Sequence, residues 1–140
     1  MIREAKPEDF EDIWILLRQL YVKDSIKKSK TRELFLSALN KDSIQLLMEV
    51  DDEVIGYSAV FFTDDIQVQG RVGHLSELII GKEHRGNGFG TRLLERTCKI
   101  AKRKRCKELQ FPSNFSRKRA HRFYENLGFN KTAYYFWKEL

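Results

Sequence analysis

The run from His74 to Glu95 constrains this chain more than any other stretch. Residues 74–80 (His-Leu-Ser-Glu-Leu-Ile-Ile) read as a strand, residues 85–90 (Arg-Gly-Asn-Gly-Phe-Gly) as a turn, and residues 91–95 (Thr-Arg-Leu-Leu-Glu) as the start of a helix. Strand, glycine-rich turn and helix in direct succession form a pocket for an anion. Glycine lets the main chain approach a ligand without a Cβ in the way. The first N–H groups of the helix have no intrahelical partner and lie at the positive end of its dipole, which suits a phosphate.

Several phosphate-binding turns compete for this sequence. A Walker A loop places a lysine between its last glycine and the Ser/Thr, and here Gly90 meets Thr91 directly. A dinucleotide fingerprint is spaced Gly-x-Gly-x-x-Gly and is followed by an acidic residue about 20 positions on. This chain spaces its glycines at 86, 88 and 90, and the region after the helix is basic. What remains is Arg-x-x-Gly-x-Gly, met by Arg85, Gly88 and Gly90. A second pattern, Ala-x-x-x-Tyr-x-x-x-Gly-Phe, runs from Ala120 through Tyr124 to Gly128 and Phe129. With the opening Ile2-Arg3-Glu4-Ala5-Lys6-Pro7-Glu8-Asp9, these elements in this order resemble the GCN5-related N-acetyltransferases, or GNAT superfamily. Within it, the half from Arg85 to Leu140 is similar to aminoalkylphosphonate N-acetyltransferases.

The resemblance implies acetyl-coenzyme A as co-substrate and direct transfer of its acetyl group to a primary amine within a ternary complex. It implies that main-chain groups of Leu78, Ile79 and Ile80 hold the pantetheine arm, and that Arg85, Gly86, Asn87, Gly88, Phe89, Gly90 and Thr91 grip the diphosphate. Asn114 maps to a position that bonds the same arm; by its residue type it is equally an N-cap for the last helix. Tyr124 maps to the tyrosine that protonates the departing thiolate, for which a phenol titrating near 10 is suited; its alternative is a core aromatic beside Phe123. A main-chain N–H at a bulge near Ile79 is expected to stabilise the oxyanion. For the base, Glu77 and His74 both lie on the central strand. Strict alternation puts them on opposite faces, and a bulge between them changes that. His84 and His121 read as surface or supporting groups. The Asp-Pro pair usual before the loop is replaced by Gly81-Lys82, which adds positive charge near the phosphates.

Periodicity gives the frame. Phe10, Ile13, Trp14, Leu17, Leu20 and Tyr21 make an apolar stripe over a helix at 8–22. Thr31 is positioned to cap a second helix whose apolar face is Leu34, Phe35, Ala38 and Leu39. Strands are expected at 2–6, 43–50, 54–63, 71–80, 107–111 and 130–138, with helices from the glycine turn to about 104 and at 115–127. The fold class is α+β: a mixed, mainly antiparallel, twisted sheet flanked by helices, with a splayed central strand pair, in one domain spanning 1–140.

Net charge is +6, concentrated in Lys99–Lys107, with six basic residues in nine, and in Arg117, Lys118, Arg119 and Arg122. One reading is a solvated helix face; another is a funnel for a polyanion such as coenzyme A. A nucleic-acid-binding module is the alternative of a different class, disfavoured because no stacking or recognition-helix pattern accompanies the charge. The acceptor is expected to be a small amine, one also bearing an acidic group on the charge argument. A peptide or protein amine is the alternative acceptor. Cys98 and Cys106 lack the spacing of a metal site, so none is expected. No apolar run approaches a membrane span, and the charged N-terminus resembles no signal segment, so the expected location is cytoplasmic. The aromatic run Tyr134–Trp137 has two places to pack, the sheet or a second subunit of a homodimer.

Overall fold

Three long strands of alternating or continuously apolar residues carry the architecture. The computed structural model describes residues 1–140 and divides into two compact units, 1–110 and 111–140. In the first unit the order is β1 (Ile2–Glu4), α1 (Phe10–Leu20), α2 (Lys28–Leu39), β2 (Ser43–Val50), β3 (Glu53–Asp65), β4 (Gly70–Ile80), α3 (Phe89–Arg103) and β5 (Cys106–Gln110). The second unit contains α4 (Lys118–Asn126). The sheet runs β1-β2-β3-β4-β5 in chain order. Its first three pairings are antiparallel and β4–β5 is parallel. The β2–β3 connection is short because Asp51 and Asp52 both adopt positive φ, 50° and 62°, as a tight hairpin turn requires.

Each face of the sheet has its own core. On one, Leu47, Tyr57, Ala59 and Ile79 pack with Phe10, Ile13, Leu16 and Leu17 of α1 and Phe35 of α2. On the other, α3 is pinned to β3 by a buried polar contact. Thr97 donates to the carbonyl of Leu93 at 2.8 Å, so its oxygen accepts from the Ser58 hydroxyl at 2.9 Å. Both side chains are fully buried, and each is satisfied by this pairing. The start of α1 is anchored by Arg3, which donates to both oxygens of Asp9 at 2.8 Å and to Glu49.

Several expectations need correction. Helix α2 begins at Lys28, so Thr31 lies inside it and its hydroxyl donates back to the Lys27 carbonyl at 2.7 Å. Leu34 points outward, 57% exposed. Helix α4 begins at Lys118, three residues after the expected start. Residues 130–138 form no strand. A two-faced aromatic run gains strand geometry only against a partner edge, and the sheet ends at β5.

Candidate functional site

Strand β4 has two neighbours over its first half and one over its second. It pairs with β5 only from Arg71↔Cys106 to His74↔Gln110, whereas its pairing with β3 continues to Gly56↔Ile80. The six residues Leu75–Ile80 therefore present one unpaired edge, about 20 Å of main chain able to hydrogen-bond an extended ligand. This is the expected splay, and Leu78, Ile79 and Ile80 lie along it.

The same strand runs into the glycine turn. After Gly81, a single 3-10 turn at Lys82–His84 leads to Arg85, whose Nε donates to the Ile80 carbonyl at 2.9 Å. Gly86 and Gly88 both have φ of +81°, and a Cβ built on either would meet nothing within 4 Å. The requirement for glycine is thus torsional, and the space beside the turn is open. Asn87 braces it, its Nδ2 donating to the His84 and Arg85 carbonyls at 3.3 and 3.4 Å. Gly88 is the N-cap of α3, and no side chain caps that end. Arg92 N–H reaches the Gly88 carbonyl at 3.2 Å, which leaves the N–H groups of Phe89, Gly90 and Thr91 as the free donors of the first turn.

A bulge decides what faces the end of α1. Ala59 pairs with Glu77 and Val60 with Leu75, leaving Ser76 as the extra residue. Phe61 pairs with His74. Because Ala59 and Phe61 share a face of β3, His74 and Glu77 share one on β4, the face on which α1 packs. The bulge lies three residues before Ile79 rather than beside it. Glu77 is half-buried and held by two hydroxyls: Tyr21 donates to Oε1 at 2.7 Å and Ser76 to Oε2 at 2.5 Å. Burial, with the Glu77 charge and hydrogen bond added, pushes the Tyr21 phenol well above its ordinary range, so it stays a donor. Tyr57, almost fully buried, is pushed up chiefly by desolvation and donates to Gln45 Oε1. His74 is exposed, with Nε2 against Thr63 Oγ1 at 2.9 Å. Tyr21 was legible only as part of the apolar stripe of α1. Its contact with a residue 56 positions away carries no local sequence signal.

In the second unit the Tyr-x-x-x-Gly-Phe spacing has a backbone cause. Gly128, at φ +89°, donates to the Glu125 carbonyl at 3.1 Å, and Phe129 donates to the Tyr124 carbonyl at 3.1 Å. These two bonds are a Schellman stop, whose hydrophobic contact brings Phe129 back onto Tyr124 with centroids 6.2 Å apart. Phe111 stands edge-on to Tyr124 at 4.6 Å. Asn114 does not cap α4. Its Oδ1 accepts from the N–H and hydroxyl of Ser116 at 2.9 and 2.8 Å, forming a turn before the helix. His121 contacts Ser113 at 3.1 Å, and His84 lies 3.6 Å from Glu53.

The family model described as Acetyltransferase (GNAT) family matches residues 8–129. This chain belongs to the GNAT family. The aminoalkylphosphonate N-acetyltransferase of Salmonella typhimurium is 24% identical over 140 residues, covering 99% of this chain and 90% of the relative. The thialysine N-epsilon-acetyltransferase of Bos taurus is 29% identical over 147 residues, covering 91% and 82%. Among solved structures, an aminoglycoside antibiotic 6'-N-acetyltransferase from Acinetobacter haemolyticus superposes with a TM-score of 0.83 at 21% identity, covering 100% and 99%. That likeness establishes the shared fold. As a GNAT protein with relatives named as N-acetyltransferases, the chain is an N-acetyltransferase, of a family that generally uses acetyl-coenzyme A. No helix is long and apolar enough to cross a membrane.

Helix geometry sets part of the first basic cluster apart from the glycine turn. Lys99, Lys102 and Arg103 sit toward the C-terminal end of α3, about 15–20 Å along the helix from the glycine turn. There they complement the negative end of the helix dipole. Lys104 is committed to Asp42 at 2.8 Å, which Arg71 also engages. The cluster is not a lining of the anion-binding turn.

Proposed function

We propose that this GNAT protein transfers the acetyl group of acetyl-coenzyme A to the primary amine of a small molecule by direct attack in a ternary complex. The observation that carries this reading is the continuous run of unused main-chain groups from the open edge of β4 into the uncapped first turn of α3. Leu78, Ile79 and Ile80 hydrogen-bond the pantetheine arm through their backbones. Residues 85–91 hold the diphosphate through main-chain N–H groups and the remaining guanidinium donors of Arg85. A β4 N–H on the same edge receives the developing oxyanion, where a preplaced donor acts without reorganisation. Asn114 bonds the pantetheine arm.

An ammonium has no lone pair, so the amine must shed a proton before it attacks. Glu77 accepts that proton, directly or through water, with His74 on the same face as an auxiliary acceptor. Two hydroxyl donors fix the Glu77 carboxylate, whereas His74 stands in solvent with one contact. That difference favours Glu77. The amine then attacks the thioester carbon and forms the C–N bond. The C–S bond breaks, Tyr124 delivers a proton to the departing thiolate, and the second proton of the amine nitrogen returns through water to the Tyr124 phenolate, leaving a neutral amide and a thiol.

The names of the curated relatives point to amines on small molecules, one bearing a phosphonate. The phosphonate-bearing class is the acceptor we favour. The chain acts in the cytoplasm. The deciding experiment is titration calorimetry with acetyl-coenzyme A, followed by a thiol-release screen over aminophosphonates, polyamines, aminoglycosides, amino acids and short peptides. Saturable 1:1 binding of the cofactor with turnover on an aminophosphonate is the expected result. Failure to bind the cofactor overturns the reading. Turnover confined to peptides replaces the acceptor class.

A further inference from the structure

The polar side chains beside Glu77 are arranged so that each hydroxyl hydrogen has a fixed destination. Gln45 of β2, Ala59 of β3 and Glu77 of β4 stand opposite one another in a row across the sheet, on the face where α1 packs. The middle position carries only a methyl group. That leaves room for Tyr57, two residues earlier on β3 and on the same face, to reach Gln45 diagonally with its phenol. Direction in this chain is set from its far end. Ser43 donates its hydrogen to the Ala38 carbonyl at 2.9 Å, so toward Gln45 it can only accept. Gln45 Nε2 therefore faces Ser43, at 3.4 Å, and Oε1 faces Tyr57. The Tyr57 hydrogen is spent on Gln45.

Glu77 takes hydrogens from Tyr21 at 2.7 Å and from Ser76 at 2.5 Å, and none from Tyr57. Yet Tyr57 stands within electrostatic range of both partners: after burial, Glu77 and Tyr21 are what push its phenol upward. Tyr57 is 4% exposed, so without Gln45 its hydroxyl has no water to turn to. The acceptors left on that side are the Glu77 carboxylate and the Tyr21 oxygen that already serves it. A third hydroxyl donor, direct or relayed through Tyr21, makes a carboxylate a weaker proton acceptor. The other elements around Glu77 supply little that titrates. The end of α1 contributes Tyr21, β3 contributes Tyr57 and β4 contributes His74. Strand β2 presents Ser43, Gln45 and Leu47 on this face, and α2 packs there with Phe35, Leu36 and Leu39.

We infer that Gln45 is a positioning residue for the transfer reaction: by holding the Tyr57 hydrogen it keeps a third donor off Glu77 and preserves the carboxylate as a proton acceptor. This role deepens the acetyl-transfer reading and rests on Glu77 as the base. Gln45 acts through Tyr57, from the strand on the far side of β3.

The test follows the Glu77 carboxyl carbon by 13C NMR against pH in the full chain without ligand, the signal being assigned by its absence from Glu77→Gln. Gln45→Met keeps the length of the side chain and removes the acceptor. It is expected to move the titration midpoint to lower pH, and Gln45→Met/Tyr57→Phe is expected to return it. A midpoint that stays put in Gln45→Met, or a displacement that survives the added Tyr57→Phe, overturns the proposal. Tyr57→Phe alone needs no change at Gln45 and should leave the midpoint in place. A move to higher pH there shows the phenol already on Glu77 and also overturns it. Thiol-release kinetics of Glu77→Gln separate this inference from the reading beneath it. Wild-type kcat in that variant removes the base, and with it the role of Gln45, even where the midpoint moves. A crippled Glu77→Gln with an unmoved midpoint in Gln45→Met leaves the base standing and removes Gln45 alone.

Discussion

The glycine turn and the carboxylate face of β4 lie a few residues apart and work by different physics. The turn uses main-chain donors, open space and two positive-φ glycines, and almost nothing about it depends on distant residues. The face uses side chains that meet only because a bulge at Ser76 turns Glu77 toward α1, whose last residues bring Tyr21 within 2.7 Å. A local device tolerates changes elsewhere and fails at its own glycines. A tertiary device fails wherever its supports are touched.

The largest effect should follow from replacing the carboxylate itself. Glu77→Gln keeps the shape and can still accept one of the two hydroxyl bonds but removes the proton acceptor, so kcat should fall about 10²–10⁴-fold. Calorimetry should find acetyl-coenzyme A affinity unchanged, and an equal loss of both would merge the two regions. Gly88→Val attacks the other region. A β-branched residue at φ +81° costs upwards of about 1–2 kcal/mol, so cofactor affinity should weaken tenfold or more. Gly88→Asn tolerates that conformation and should keep most of the binding.

Tyr21→Phe probes the support rather than the reacting group. Loss of one hydrogen bond to a charged acceptor is worth about 1.5–3 kcal/mol. Roughly tenfold lower kcat with unaltered cofactor affinity is therefore expected, and steady-state kinetics that match the wild type would detach Tyr21 from the mechanism. The anchor at the start of α1 gives a pH handle on the same region. Hydrogen bonding and charge from Arg3 hold the Asp9 carboxyl below its ordinary value of 3.8. A depressed folded-state value contributes stability that is present above the unfolded one and disappears as pH falls through the folded one. Urea melts should show wild type losing stability below about pH 4, while Asp9→Asn starts about 2 kcal/mol lower at pH 7 and shows less of that acid slope. The smallest effect is expected from Lys99, Lys102 and Arg103. Neutralising all three should change cofactor affinity less than about twofold at physiological salt, because the far end of α3 lies beyond the Debye length from the turn. A larger loss would restore the funnel.

Local chemistry explains what was legible. The boundaries of β2, the run of β4 and α3, and the position of the glycine turn follow from periodicity and from residues that permit positive φ. The Tyr124–Phe129 spacing was visible as a pattern, and its cause is the helix stop at Gly128. Misreadings arose where a residue has two local uses. Thr31 can cap or bond back within a helix, and Asn114 can cap a helix or close a turn.

From the sequence alone came the β-turn-α unit, the glycine-rich turn at 86–90, and the identity of the groups able to carry acid–base chemistry, since these rest on residue order and side-chain type; that glycine is needed at 86 and 88 for its positive φ came from the structure. Only the tertiary structure decided that His74 and Glu77 share a face, that Tyr21 holds the carboxylate, and that Lys99, Lys102 and Arg103 lie away from the turn. Those outcomes depend on strand register and on where helices dock. Both are set by packing between segments tens of residues apart, which no local window contains.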